Sequence, residues 1–330
     1  MKKTNYKLAL VGATGLVGRT ALQVLEEKKL PISEYAFFAS SRSAGQKISF
    51  MGKEYIVREL TQDSFKEGFD FAIFSAGGDT AKQYAPIAAS CGCIVVDNSS
   101  AFRMQEDVPL VVPEVNAEEL QHHHGIIANP NCSTIQAVVP LKALDEHYDI
   151  QRIVYSTYQA VSGAGQKGVD DLENGEKGLP PKKFPHPIYS NCLPHIDVFL
   201  ENGYTKEEEK MINETRKILK KPDLRITATA VRVPVKNCHS ESINIEFKHP
   251  FDLEEVKDIL RHFPGIILMD DIQNNIYPLA SLANGHDEVY VGRIRRDDSI
   301  DNGLNLWVVA DNIRKGAASN AIQIVEKLMQ

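Results

Sequence analysis

The apolar run Tyr6-Lys7-Leu8-Ala9-Leu10-Val11 breaks into Gly12-Ala13-Thr14-Gly15-Leu16-Val17-Gly18 and passes straight into a helical pattern carrying Leu16, Leu22 and Leu25. Buried strand, glycine turn and helix in that order commit the start of the chain to a strand–helix–strand unit. The alternation continues. Residues 34–39, 69–75, 93–97 and 125–128 read as further strands, with a helix from about Thr80 to Cys91. Strands alternating with helices predict a parallel sheet with helices on both faces, an α/β, Rossmann-like domain.

Beyond about residue 151 the pattern changes. Residues 153–158, 224–231, 242–247, 289–294 and 304–309 read as strands of one mixed or antiparallel sheet, giving an α+β domain. Residues 175–195, rich in Gly, Pro and Lys, read as a long excursion, and Lys206–Leu219 as a charged helix. The segment Lys315–Met329 is helical and able to fold back on the first domain. The expected domains are residues 1–131 with 313–330, and residues 132–312.

Composition narrows the function classes. A net charge of -7 argues against wholesale nucleic-acid binding. No apolar run approaches the ~18–20 residues that span a bilayer. Met1-Lys2-Lys3 leads directly towards a strand, unlike a signal peptide. Five irregularly spaced cysteines suggest no disulfide framework and fit a reducing cytoplasm. His122-His123-His124 reads as a solvated loop, and no metal site is expected.

The glycine turn suits a dinucleotide. Its backbone can approach a pyrophosphate, and the following helix presents free N–H groups and positive potential. Gly12, Thr14, Gly15, Leu16 and Val17, with Ser75 at the end of a later strand, are the expected cofactor contacts. After the second strand come Ser40, Arg42 and Ser43, with no acid to read a ribose hydroxyl. A cation and hydroxyls suit a 2′-phosphate, so NADP is expected rather than NAD.

The second chemical signal is Asn129-Pro130-Asn131-Cys132-Ser133-Thr134. The apolar spacing from Ile135 to Leu144 fits a helix that starts at Cys132 and is bent by Pro140. Helix N–H groups stabilise a thiolate. A thiol beside a dinucleotide site suggests that an acyl group is carried as a thioester.

These motifs, with Tyr158-Gln159-Ala160-Val161-Ser162-Gly163-Ala164-Gly165, Val231-Arg232-Val233-Pro234, His239-Ser240-Glu241-Ser242 and Asp311-Asn312, resemble the aspartate-semialdehyde dehydrogenase family nearly end to end. The resemblance implies NADPH-dependent reductive dephosphorylation of L-aspartyl-4-phosphate to L-aspartate 4-semialdehyde, a step towards lysine, diaminopimelate, threonine and methionine, in a homodimer. It makes Cys132 the nucleophile and His239 the acid/base. Arg232 would grip the α-carboxylate, Gln159 position the substrate, and Glu207 hold its ammonium. Arg103 and Lys210 would bind phosphate, assisted by Asn131. Ser162, Gly163, Pro187 and Asn312 would lie on the nicotinamide side. The nearest alternative is N-acetyl-γ-glutamyl-phosphate reductase, whose substrate has no free ammonium. A non-enzymatic nucleotide-binding protein is the alternative of a different class.

Overall fold

The structure, a computed structural model, describes residues 5–330, so Met1-Lys2-Lys3 lie outside it. The chain divides into two units, one running up to Asn131 and resuming at Ala317–Gln330, the other Cys132–Gly316.

The first unit is built on β1 (Tyr6–Val11), α1 (Leu16–Lys28), β2 (Ile32–Ala39), β3 (Lys47–Phe50), β4 (Lys53–Ile56), β5 (Arg58–Glu59), β6 (Phe71–Phe74), α2 (Gly78–Ser90), β7 (Ile94–Asp97), α3 (Pro113–Asn116) and β8 (Ile126–Ala128). Six strands form a sheet of order β5-β2-β1-β6-β7-β8, and each neighbouring pair is parallel. Leu8 to Val11 are fully buried, as strands covered on both faces must be. The antiparallel β3–β4 hairpin was not legible, because its short strands are mostly exposed and polar. The C-terminal helix, Ser319–Met329, packs Ile322, Ile324 and Val325 into the same apolar cluster as Leu8, Leu10, Leu22 and Leu25.

The second unit carries α4 (Cys132–Tyr148), β9 (Ile150–Gln159), α5 (Gln166–Gly175), α6 (Lys206–Ile218), β10 (Arg225–Arg232), β11 (His239–Phe247), α7 (Leu253–His262), β12 (Ile266–Leu268), β13 (Val289–Asp297) and β14 (Gly303–Ala310). Its sheet has the order β10-β9-β11-β14-β13-β12 and is mixed. β10 runs parallel to β9, whereas β11 is antiparallel to both β9 and β14. One face is covered by α4, α6 and α7. On the other, Val154, Ser156, Ser242, Asn244 and Trp307 stay half-buried and Tyr158 is exposed.

Local chemistry fixes the helices that matter. Thr205 caps α6 by accepting from the Glu208 N–H, while the Glu208 carboxylate accepts from the Thr205 N–H. The other Glu208 oxygen accepts from Ala230 N–H at 2.9 Å and ties α6 to β10. The excursion after α5 is held by Asp171, which accepts from the N–H groups of Lys182, Lys183 and Phe184 at 2.8, 2.7 and 2.9 Å. Burial opposes its charge, but those donors hold the carboxyl below its ordinary range.

Candidate active site

In the second unit the sequence-predicted residues converge from separate elements. Cys132 opens α4 and is partly exposed. Arg232 ends β10, and its guanidinium is within electrostatic reach of Cys132. It is 6% exposed; Nη1 donates to the Ala160 carbonyl at 2.7 Å and the guanidinium lies 5.9 Å from the centre of the Phe184 ring. Burial lowers its pKa from the ordinary value, while Glu207 and Cys132 favour the cation. Phe184 is one of the residues whose N–H is held by Asp171, so that anchor sets one wall beside the guanidinium.

Gln159, at the end of β9, accepts from Thr157 Oγ1 at 3.1 Å and donates to Glu207 Oε1 at 3.1 Å. The second Glu207 oxygen accepts from Lys210 Nζ at 3.0 Å, and Lys210 also donates to Asp197 at 2.8 Å. Burial works against the Lys210 charge, but the two carboxylates outweigh it and raise its pKa. Glu207 and Lys210 form with Gln159 one network of buried polar groups. Asp197 was not recognised in the sequence, since only the fold sets it beside Lys210.

His239 opens β11 and is fully buried. The Ala160 N–H donates to Nδ1 at 2.9 Å. In the neutral ring that bond assigns the proton to Nε2. Nε2 has no hydrogen-bond partner among the described residues and is a donor available to a reacting oxygen. Burial first, then the Arg232 charge, pushes the imidazole pKa down to about 3. Gly163 touches both groups. A β-carbon there would come within 2.8 Å of Arg232 Nη1 and 3.2 Å of His239 Cε1, so no side chain fits without displacing them. Ser162 is buried and bonded to Asn312, whose Oδ1 also accepts from the Cys238 N–H at 2.9 Å. Asn312 thus holds the residue before His239, where the backbone turns left-handed with φ +71°. Pro187 is exposed on the excursion, its carbonyl accepting from Asn191.

The first unit carries the remaining candidates. Gly12, at φ +88°, lies so close to the Ser75 carbonyl that a β-carbon would collide with it. Thr14, Leu16 and Val17 are partly exposed and Gly15 is exposed at the start of α1, beside a cleft of about 380 Å³ lined by Thr14, Arg19 and residues 46–50. Ser43 N–H donates to the Ser40 carbonyl, and the intervening Arg42 is exposed. A backbone cradle that tolerates no β-carbon, followed by a helix start and an exposed arginine, fits a dinucleotide phosphate. Arg103 is buried and donates to the Asn98 carbonyl at 3.0 Å; Asn131 is buried at the end of this unit. Among the described residues no cluster of His, Cys, Asp or Glu is arranged to hold a metal, and no helix is long and apolar enough to cross a membrane.

Comparison with known proteins accounts for both units. Residues 7–123 match the NAD binding domain of semialdehyde dehydrogenases, and residues 141–315 match the semialdehyde dehydrogenase dimerisation domain. An aspartate-semialdehyde dehydrogenase of Aquifex aeolicus is 54% identical, the match covering 98% of each chain. The crystal structure of aspartate semialdehyde dehydrogenase II of Vibrio cholerae complexed with ASA superposes with a TM-score of 0.95 at 45% identity, covering 99% of this chain and 98% of that one. The aspartate semialdehyde dehydrogenase of Candida albicans, solved with NADP, has a TM-score of 0.79 at 28% identity and covers 98% of each chain. With a parallel-sheet nucleotide unit, a mixed-sheet unit carrying Cys132, and this identity along nearly its whole length, the chain belongs to the aspartate-semialdehyde dehydrogenase family.

Proposed function

We propose that the protein catalyses NADPH-dependent reductive dephosphorylation of L-aspartyl-4-phosphate to L-aspartate 4-semialdehyde, through an acyl-thioester on Cys132. The observation that carries this reading is the convergence, within one unit, of a helix-start cysteine, the Arg232 cation and an Nε2–H imidazole. The family membership and the identity to the Aquifex aeolicus protein support it.

Cys132 Sγ attacks the acyl carbon; the S–C bond forms as the C–O bond to phosphate breaks and inorganic phosphate leaves. The nicotinamide cofactor, when bound, supplies the hydride that reduces the thioester. His239 Nε2–H stabilises the oxyanion at the reacting carbon, and collapse of the thiohemiacetal releases the aldehyde and the thiolate. Arg232 and Glu207 recognise the α-carboxylate and α-ammonium, and Gln159 orients the substrate between them. Lys210, Arg103 and Asn131 would bind phosphate, as the family resemblance implies. Gly12, Thr14, Gly15, Leu16, Val17 and Ser75 would hold the cofactor, with Ser162, Gly163, Pro187 and Asn312 on its nicotinamide side. Ser40, Arg42 and Ser43 favour NADP over NAD, and the Candida albicans relative solved with NADP supports that preference. Residues up to 131 with the C-terminal helix form the NADP domain, and the rest the catalytic domain.

The test is phosphate-dependent reduction of NADP by the purified protein given L-aspartate 4-semialdehyde, with N-acetyl-glutamate semialdehyde in parallel. Activity with the first alone, lost without phosphate, establishes the reading. Activity with the second alone moves the protein to the acetylated pathway. Silence with both, despite cofactor binding, ends the enzymatic reading.

Arg232→Lys is expected to raise KM by about 10–100-fold with a smaller change in kcat, because an ammonium loses the bidentate fork. An unchanged KM would reassign Arg232. The half-exposed sheet face around Tyr158 and Trp307, whose rings lie 5.5 Å apart, supports a homodimer surface, as the matching dimerisation domain suggests. A dimer is expected by sedimentation at micromolar concentration; a monomer would refute that surface. We place the reaction in the cytoplasm, where cysteine thiols such as that of Cys132 are kept reduced.

A further inference from the structure

The residue two places after His239 on β11 has no role in that mechanism. Glu241 points to the same covered face and is fully buried. Among the described residues neither carboxyl oxygen makes a hydrogen bond of ordinary geometry or an ion pair. The groups facing it from each packed element offer no positive charge. From α6 comes the carboxylate of Glu207. From β9 come Thr157, directly across the ladder and donating to Gln159, and the buried phenol of Tyr155, bonded to Thr215. Across the β14 ladder sits Val308. From α4 comes Gln136, one turn after Cys132. Burial drives the Glu241 carboxyl well above its ordinary range, with Glu207 adding to it and Gln136 opposing.

Gln136 is the other half of the problem. Its Nε2 donates to the His239 carbonyl at 3.3 Å, while its Oε1 is buried without a donor. Three buried oxygens in one place thus lack partners. A carboxylate can only accept, so an ionised Glu241 would leave Gln136 Oε1 unsatisfied and add an unpaired charge. A carboxylic acid solves all three. Its O–H donates to Gln136 Oε1, and its C=O accepts the second Nε2–H of Gln136, whose first remains on His239.

We propose that Glu241 is a positioning residue, a neutral acid paired by two hydrogen bonds with the Gln136 carboxamide, which ties the His239 strand to the helix that carries Cys132. The consequence for catalysis rests on the reading of Cys132 and His239 above; the protonation state and the tie do not.

The experiment uses the full chain and needs no turnover. Infrared difference spectra of wild type minus Glu241→Gln in D₂O should show the carbonyl stretch of a protonated carboxyl group at neutral pH, persisting into alkaline buffer. Glu241→Gln keeps both hydrogen bonds as an amide pair, so alkylation of Cys132 by iodoacetamide should stay within about 3-fold of wild type. Glu241→Leu keeps the bulk but loses the pair, and alkylation should change by about 10-fold, the scale of one lost buried hydrogen bond. If the leucine variant does not fold, the infrared band and the glutamine variant decide. A carboxylate band in the wild type, or a Gln variant as impaired as Leu, overturns the proposal. Loss of enzymatic activity in wild type with the infrared band present would instead fault the catalytic reading.

Discussion

Replacing Cys132 with serine is expected to cut phosphate-dependent turnover by on the order of 10⁴-fold or more, with NADP affinity unchanged. The helix start and the Arg232 charge can stabilise a thiolate, but an alcohol ionises far above any working pH, so the same surroundings cannot make serine a comparable nucleophile. Cofactor affinity should survive because Cys132 begins the second unit, while the Gly12 turn belongs to the first. Steady-state rates and a fluorescence titration with NADPH give both numbers. Near-normal turnover would remove Cys132 from the mechanism.

The second large effect is at His239. His239→Ala is expected to slow turnover by ~10²–10⁴-fold, the usual worth of a positioned acid or base. Alanine also strips the Ala160 N–H of its acceptor, so His239→Asn is the control. Its Oδ1 can take that bond, and its melting temperature should stay near wild type while activity falls as far. The pH profile carries a sharper demand. An ordinary imidazole titrates near 6.5, whereas this one is pushed down to about 3 and stays neutral throughout the working range. The profile of kcat/KM should therefore show no step near 6.5 that disappears in His239→Asn. Such a step would mean that His239 titrates normally and that Nε2–H is not its resting form.

Where the fold was legible, one residue set answered one question. Leu8–Val11, Phe71–Phe74 and Val95–Val96 are runs that only a sheet covered on both faces would bury, and their order marks the first unit. Edges shifted where polar residues extend a ladder: the strand read from Ser242 begins at His239, because the ladder to Tyr158 and Ala310 continues through Ser240 and His239. α7 went unread although Asp252 caps it and Val256 and Leu260 repeat at helical spacing; short length hid it between strands. The terminal segment is helical from Lys315 onwards as read, but its first turn, Arg314–Ala318, is a wider π-helical one, and the α-helix proper starts at Ser319.

At the candidate site the sequence could name residue types but not their partners. His239 and Arg232 were legible through their motifs. That Ala160 offers its N–H to one and its carbonyl to the other was not, since backbone geometry leaves no trace in composition. Asp171 and Asp197 look like solvated acids until distant segments close on them. Glu241 was hidden for the opposite reason. An acid in an alternating strand reads as the outward position, and only the packing of α4 and α6 over that face makes it an inward one.

The return of residues 317–330 to the first unit has a consequence for synthesis. Some 185 residues of the second unit separate β8 from the helix that completes the first unit's core. During translation the glycine turn, its strands and α1 emerge early, with the apolar stripe meant for Ile322, Ile324 and Val325 uncovered. The second unit is contiguous and can close first. The first unit begins to emerge before the second but is completed after it, so loss of the helix that carries Ile322, Ile324 and Val325 would fall on the core of the first unit rather than on the second.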